Sequence, residues 1–299
     1  MFDLEVLKSY GFLVVALGSF FLAISSAVLG TITVLKGQSL IGDAIGHSAF
    51  PGVVLAFILF ASRNPIILLM GAIFSGSLAF IFIEILNKNT KLSLDTILAV
   101  ILSSFFGLGM VLKSYIQGNP AYQRASQSGL QNYIFGQAAY MVLNDVKMIL
   151  FISIICLILI GLFYKEIKVF VFDENYARTI GINAKVIYLL IMVCAMTLIG
   201  TGLKIVGAIL ISSLLIVPPI AALQWSNNFF RVMVIGAFVG GFSAFLGTYI
   251  STVYDGMSTG PTIILIMTSL ALFSLLFGPR AFVANYMRRR KYKWITPYF

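Results

Sequence analysis

Tyr10-Gly11-Phe12-Leu13-Val14-Val15-Ala16-Leu17-Gly18-Ser19-Phe20-Phe21-Leu22-Ala23-Ile24-Ser25-Ser26-Ala27-Val28-Leu29-Gly30-Thr31-Ile32-Thr33-Val34 runs from end to end without a charged side chain. A bilayer's hydrocarbon core is about 30 Å thick and a helix rises about 1.5 Å per residue, so roughly 20 apolar residues cross it. This stretch is long enough. The residues before it, Met1-Phe2-Asp3-Leu4-Glu5, lack the basic start of a secretory signal, so it reads as a retained first span.

The rest of the chain repeats the pattern. Of 299 residues, 60% are hydrophobic and 10% charged, with a mean hydropathy of +1.02. A soluble domain carries about 25% charged residues. Candidate spans fall at 10–34, 39–61, 65–86, 94–112, 147–164, 185–203, 205–223, 229–252 and 261–278, with eight crossings if one is re-entrant. The expected fold is therefore an all-α polytopic membrane protein with about eight or nine transmembrane helices. It forms a single transmembrane domain over 1–299, with no room for a sizeable soluble domain. Turn chemistry marks the breaks, as in Lys36-Gly37-Gln38-Ser39, Arg63-Asn64-Pro65 and Ser258-Thr259-Gly260-Pro261. Cys156 and Cys194 lie inside apolar segments without metal-ligand spacing and read as packing residues.

The net charge of +10 is distributed as topology, not as a nucleic-acid patch. With the N-terminus outside and spans alternating, 14 of the 20 Lys and Arg residues fall inside, the side that cytoplasmic loops favour. The long polar stretch at about 113–146 is then external. A loop at about 165–184 and the tail 279–299, with Arg288-Arg289-Arg290-Lys291, are cytoplasmic.

One stretch breaks the apolar rule. Gly37-Gln38-Ser39-Leu40-Ile41-Gly42-Asp43-Ala44-Ile45-Gly46-His47-Ser48-Ala49-Phe50-Pro51-Gly52 opens the second span and carries the chain's one histidine. Four residues apart on a helix, Asp43 and His47 share a face. Their neighbours are small and suit close helix contact or a cavity rather than lipid. Pro51 lacks an N–H, so the His47 carbonyl four residues back loses its helical partner and a kink is expected. A carboxylate, an imidazole and a freed carbonyl are divalent-cation ligands. An aspartate near the centre of a membrane helix costs at least about 2.5 kcal/mol, more than a purely structural hydrogen bond explains. Metal ions take about four to six ligands, so one chain supplies too few, and two copies about a two-fold axis supply two Asp and two His.

Elsewhere, residues 206–222 form a small-residue span in which Pro218 and Pro219 invite a bend and suggest a pathway or hinge helix. Gly236-Ala237-Phe238-Val239-Gly240-Gly241 has helix-contact spacing, although chance matches are common among 26 glycines. In the internal loop, Asp173 suits an N-cap and Gly181 a C-cap around a short helix containing Ala177.

Together these motifs resemble the membrane permeases of bacterial manganese/zinc/iron ABC importers. Gly42-Asp43-Ala44-x-x-His47-x-x-x-Pro51-Gly52 is similar to that family's second-span motif, with Gly46 where serine or alanine is equally expected. Val206-Gly207-x-x-Leu210 through Pro218-Pro219-x-Ala221-Ala222 resembles its later small-residue helix. Asn132-Tyr133-Ile134-Phe135-Gly136 is similar to its aromatic-glycine element, and Phe172-Asp173 through Ala177 and Gly181-Ile182 resembles its ATPase-docking loop. The resemblance implies a homodimeric permease, similar to the type II ABC importers, with Asp43 and His47 as the metal ligands. Asp173, Ala177 and Gly181 then mark the coupling loop. The implied partners are cytoplasmic ATPase subunits and an extracytoplasmic solute-binding protein. The cargo is a divalent ion, Mn foremost, with Zn or Fe as alternatives, and no cofactor of the chain's own is expected.

No GxxxxGK[ST] phosphate loop is present, so ATP hydrolysis is expected of a partner and the chain is not read as an enzyme. Nor is there an HExxH signature of a metalloenzyme. The alternative is a proton-coupled secondary transporter or channel that uses Asp43 and His47 as a relay. It predicts activity without any ATPase.

Overall fold

The computed structural model describes residues 5–61, 64–119, 141–254, 256–280 and 283. Ten α-helices run in the order α1 (Tyr10–Leu35), α2 (Ile41–Phe60), α3 (Pro65–Asn89), α4 (Leu94–Gly118), α5 (Leu143–Leu162), α6 (Tyr164–Phe172), α7 (Glu174–Thr179), α8 (Ala184–Leu223), α9 (Phe229–Val253) and α10 (Thr259–Phe277). Among the described residues, nine segments are long and apolar enough to span a membrane, with α8 contributing two, Ala184–Leu203 and Val206–Leu223. The sequence-derived element at 132–136 and the basic tail at 288–291 lie outside the described residues.

Helix ends follow local rules. The side chains of Ser9, Asn64, Ser93, Asn183 and Asn228 accept hydrogen bonds from the first free backbone N–H groups of their helices. Helix α4 runs six residues beyond the expected end at 112, to Gly118. It does so because Lys113 and Ile116 still turn inward against the bundle, and the Gly118-Asn119-Pro120 breaker arrives only afterwards.

Small residues set how closely the helices pack, since lipid offers no hydrophobic drive between them. A β-carbon at Gly52 would collide with the Gly71 carbonyl, and one at Gly71 with the Gly52 carbonyl, so α2 and α3 touch backbone to backbone. A β-carbon at Gly30 of α1 would strike the carbonyl of Leu215 in α8. Gly236 and Gly240 sit against α1 near Thr31 and Ala23, where their four-residue spacing lets α9 approach.

The three mid-helix prolines interrupt no helix. Helix α2 continues through Pro51, and α8 continues through Pro218 and Pro219. The non-helical point in α8 is Gly207, with φ +80° and ψ 166°, a conformation that suits glycine alone. In a straight helix nine residues advance about 13.5 Å. A β-carbon on Gly202 would nonetheless lie 2.8 Å from Ile211 Cδ1, so the two halves of α8 turn sharply on each other around Gly207.

The connections gather at one end of the bundle. Lys36 after α1 meets Glu174 of α7, Tyr188 of α8 reaches Gln38 and Glu84, and Tyr164 stacks on Phe229. Trp225 bonds Ser274, and Arg280 bonds Asn227. At the opposite end Phe12 packs on Phe245 and Tyr249.

Candidate functional site

Asp43 sits in the first turn of α2 and His47 one turn further on. Their closest atoms, Asp43 Oδ1 and His47 Nε2, are 3.4 Å apart. Around them the α2 backbone is walled in. Gly42 faces Leu215, Gly46 faces Ile199, and the Ser48 carbonyl accepts a 2.6 Å hydrogen bond from the Ser75 hydroxyl of α3. The edge of the His47 ring packs on Phe106 of α4, with centroids 5.0 Å apart at 83°. Phe50 and Pro51 in turn lie against Gly109, one helical turn along α4. The Ser212 side chain, five residues past the Gly207 break, reaches the Asp43 carboxylate. Four elements thus fix two side chains.

The pair is not sealed. Asp43 keeps 32% and His47 18% of its side-chain surface exposed, in a helix whose other inward residues are fully packed. His47 Nδ1, by contrast, is buried without a hydrogen-bond partner among the described residues. A metal-ligating imidazole normally donates its second N–H to a carboxylate or carbonyl.

The spacing suits a shared cation. With ligand bonds of about 2.1 Å, atoms 3.4 Å apart subtend about 108° at a common metal, close to the tetrahedral angle. Among the described residues no third His, Cys, Asp or Glu joins the pair. Cys156 and Cys194 are buried free thiols that contact each other's helices between α5 and α8, apart from the pair. Pro51 stays one turn below His47 inside the continuous α2, and Pro218 and Pro219 lie beyond Ser212 on α8.

The second set of sequence-derived residues lies at the end where α6 and α7 gather. Asp173 Oδ1 accepts from the Tyr176 N–H at 2.9 Å and caps α7. At the other end Gly181 has φ +86°, Ile182 N–H bonds the Ala177 carbonyl and Gly181 N–H bonds that of Arg178. This is the Schellman closure that only a left-handed residue completes. Ala177 is fully buried, while Asp173 and Gly181 are exposed and serve as the caps of α7. The large apolar side chains exposed there are Phe172 at the end of α6, Tyr176 in α7 and Ile180 at its C-cap, each at least half exposed. Sequence reasoning missed them, because the extended Asp173 between α6 and α7 breaks the helical period that would have grouped them.

Lys36 was also missed as anything but a topological charge. Its Nζ pairs with Glu174 Oε2 at 2.8 Å, donates to the Phe170 carbonyl at 3.2 Å and lies 4.0 Å above the Phe170 ring. Its hydrogen bond to Glu174, opposed by partial burial and aided by Arg178, holds that carboxyl below the usual glutamate range. An isolated surface ion pair contributes about 0–1 kcal/mol, and a cation–π contact adds about 0.5–1 kcal/mol.

These features define a multi-pass membrane protein with a polar two-residue site opening off its second span and an apolar-faced helical loop at one end. Residues 9–278 match the ABC 3 transport family, and the chain belongs to that family of ABC importer permeases. It is 34% identical over 277 residues to the zinc transport system membrane protein TroC of Treponema pallidum, covering 93% of this chain and 92% of that one. It is 38% identical over 263 residues to the manganese transport system membrane protein MntC of Bacillus subtilis, covering 88% of this chain and 60% of that longer protein. Among solved structures, PsaBC from Streptococcus pneumoniae in complex with Fab matches with a TM-score of 0.80 at 28% identity. That match covers 92% of this chain and 95% of the other.

Proposed function

We propose that this permease carries divalent metal ions inward across the cell membrane, with Asp43 and His47 as the transient ligands and ATP hydrolysis supplied by cytoplasmic partner subunits. The observation that carries the reading is the 3.4 Å carboxylate–imidazole pair, partly open inside an otherwise packed apolar helix. Two ligands are too few to hold a metal firmly, and transport needs a site that also lets go. A second copy of the chain about a two-fold axis completes four ligands. The partial exposure of the Asp43 and His47 side chains supports a site left open to further ligands.

Metal reaches the outer mouth from an extracytoplasmic solute-binding protein. The loop of α6 and α7 is cytoplasmic, as the excess of Lys and Arg at that end supports, and it receives the ATPase on Phe172, Tyr176 and Ile180. Carboxylate plus imidazole without thiolate suits Mn(II), and also Zn(II) and Fe(II). Manganese is the reading favoured here, and the relatives named for zinc and for manganese keep the comparison of metals open to measurement.

The test is uptake of manganese and zinc by intact cells carrying Asp43→Ala or His47→Ala, with membrane levels checked by immunoblot. Both variants are expected to insert normally and to lose uptake. Wild-type uptake in both would remove the pair from the pathway.

A further inference from the structure

The docking loop and the metal pair are separate in sequence, yet one side chain joins them. Lys36 is the residue that ends α1, and Gly37, with φ +74°, turns the chain directly into α2. Asp43 lies in the first turn of α2, and the four residues 37–40 that lead to it are tied by hydrogen bonds from Gly37 N–H to the Val34 carbonyl, Gln38 N–H to that of Thr33 and Ile41 N–H to that of Gln38. On the other side Lys36 holds three groups at once: the Glu174 carboxylate at the start of α7, the carbonyl of Phe170 near the end of α6, and the face of the same phenylalanine. An ordinary surface pair engages one group with a mobile side chain. Here the lysine is 84% covered, and Arg178 grips the second carboxylate oxygen of Glu174. Two residues further on, Gln38 is held by Tyr188 of α8, which also reaches Glu84 of α3. The α1–α2 turn is thereby clamped between the docking loop and the bundle.

We infer that Lys36 is a positioning residue, a latch that carries displacement of α6 and α7 to the start of α2 and so to Asp43. The inference rests on the proposed docking role of that loop. When the ATPase moves α7, Glu174 and Phe170 draw Lys36 with them, and the short rigid turn passes the motion to α2. A coupling network of this kind needs a contiguous chain of packed and hydrogen-bonded groups, and Glu174 and Lys36, the turn at Gln38 and Ile41, and the first turn of α2 make one.

The experiment uses proteoliposomes holding the full chain with its ATPase, and compares manganese moved per ATP hydrolysed. The variants are Lys36→Met, Glu174→Gln, their double mutant and Lys36→Arg. Each neutral variant is expected to lower the ratio about five-fold or more. The double variant should be no worse than either single, Lys36→Arg should restore the ratio, and the ATPase should remain bound throughout. Glu174→Gln changes a half-exposed group and carries the test alone if Lys36→Met fails to fold. An unchanged ratio, or losses that add in the double variant, overturns the latch. Tyr176→Asp separates the two readings. If it releases the ATPase while Lys36→Met and Glu174→Gln transport normally, the latch fails and the docking face stands; if the ATPase stays bound to it, the docking face fails.

Discussion

A β-carbon at Gly52 has nowhere to go but into the backbone of Gly71, and the reverse holds as well. Gly52→Ala or Gly71→Ala must push α2 and α3 apart, and overpacking of this kind costs about 1–3 kcal/mol. Thermal unfolding in detergent should show a lower midpoint for either variant, whereas Gly107→Ala on the open side of α4, where a β-carbon meets nothing, should leave it unchanged. Equal midpoints for all three would contradict the close approach. The sequence around Asp43 already announced small neighbours and a packed helix. It did not announce Gly71 or Gly109, because which glycine meets which is decided by helices distant in the chain. For the same reason Asp43 and His47 could be paired by spacing alone, while Phe106 and Ser212, which hold them, could not.

At the scale of the helices, the one non-helical backbone position inside α8 falls at a glycine and not at its prolines. Pro51, Pro218 and Pro219 sit in continuous helices, because neighbouring helices in a membrane can satisfy the groups a proline frees. Gly207 instead turns α8, using a backbone conformation closed to other residues. Gly207→Ala is expected to cost about 1–3 kcal/mol in backbone strain. Reduced metal uptake at normal membrane abundance would place that turn in the transport cycle, and wild-type stability and uptake together would contradict the strained geometry. The caps of α7 at Asp173 and Gly181 were legible because capping is local chemistry. Its outward face was not, since the inward turn of Ala177 depends on what α7 packs against. Tyr176→Asp should therefore reduce co-purification of the ATPase, whereas Asp173→Ala should act indirectly, by loosening the helix. Undiminished recovery of the ATPase with Tyr176→Asp would contradict that assignment.

The whole molecule was the most readable level. Apolar length and sparse charge pointed to eight or nine spans, and nine helical segments among the described residues meet that length and polarity, because a bilayer asks for one property repeated. The proposed completion of the site by a second copy belongs to the assembly. The reading expects one tightly held metal per two chains in the assembled importer, as counted by elemental analysis of trapped complexes. One metal per chain would mean that each copy finds its remaining ligands within itself. The most direct test of the central claim is manganese uptake into proteoliposomes containing the chain with its ATPase, supplied with the manganese-loaded solute-binding protein, with ATP inside or outside reach of the ATPase, and with or without a proton gradient. Uptake should require hydrolysable ATP, ignore the gradient and vanish in Asp43→Ala. Uptake driven by the proton gradient without the ATPase, or ATP-driven uptake that survives Asp43→Ala, would contradict it.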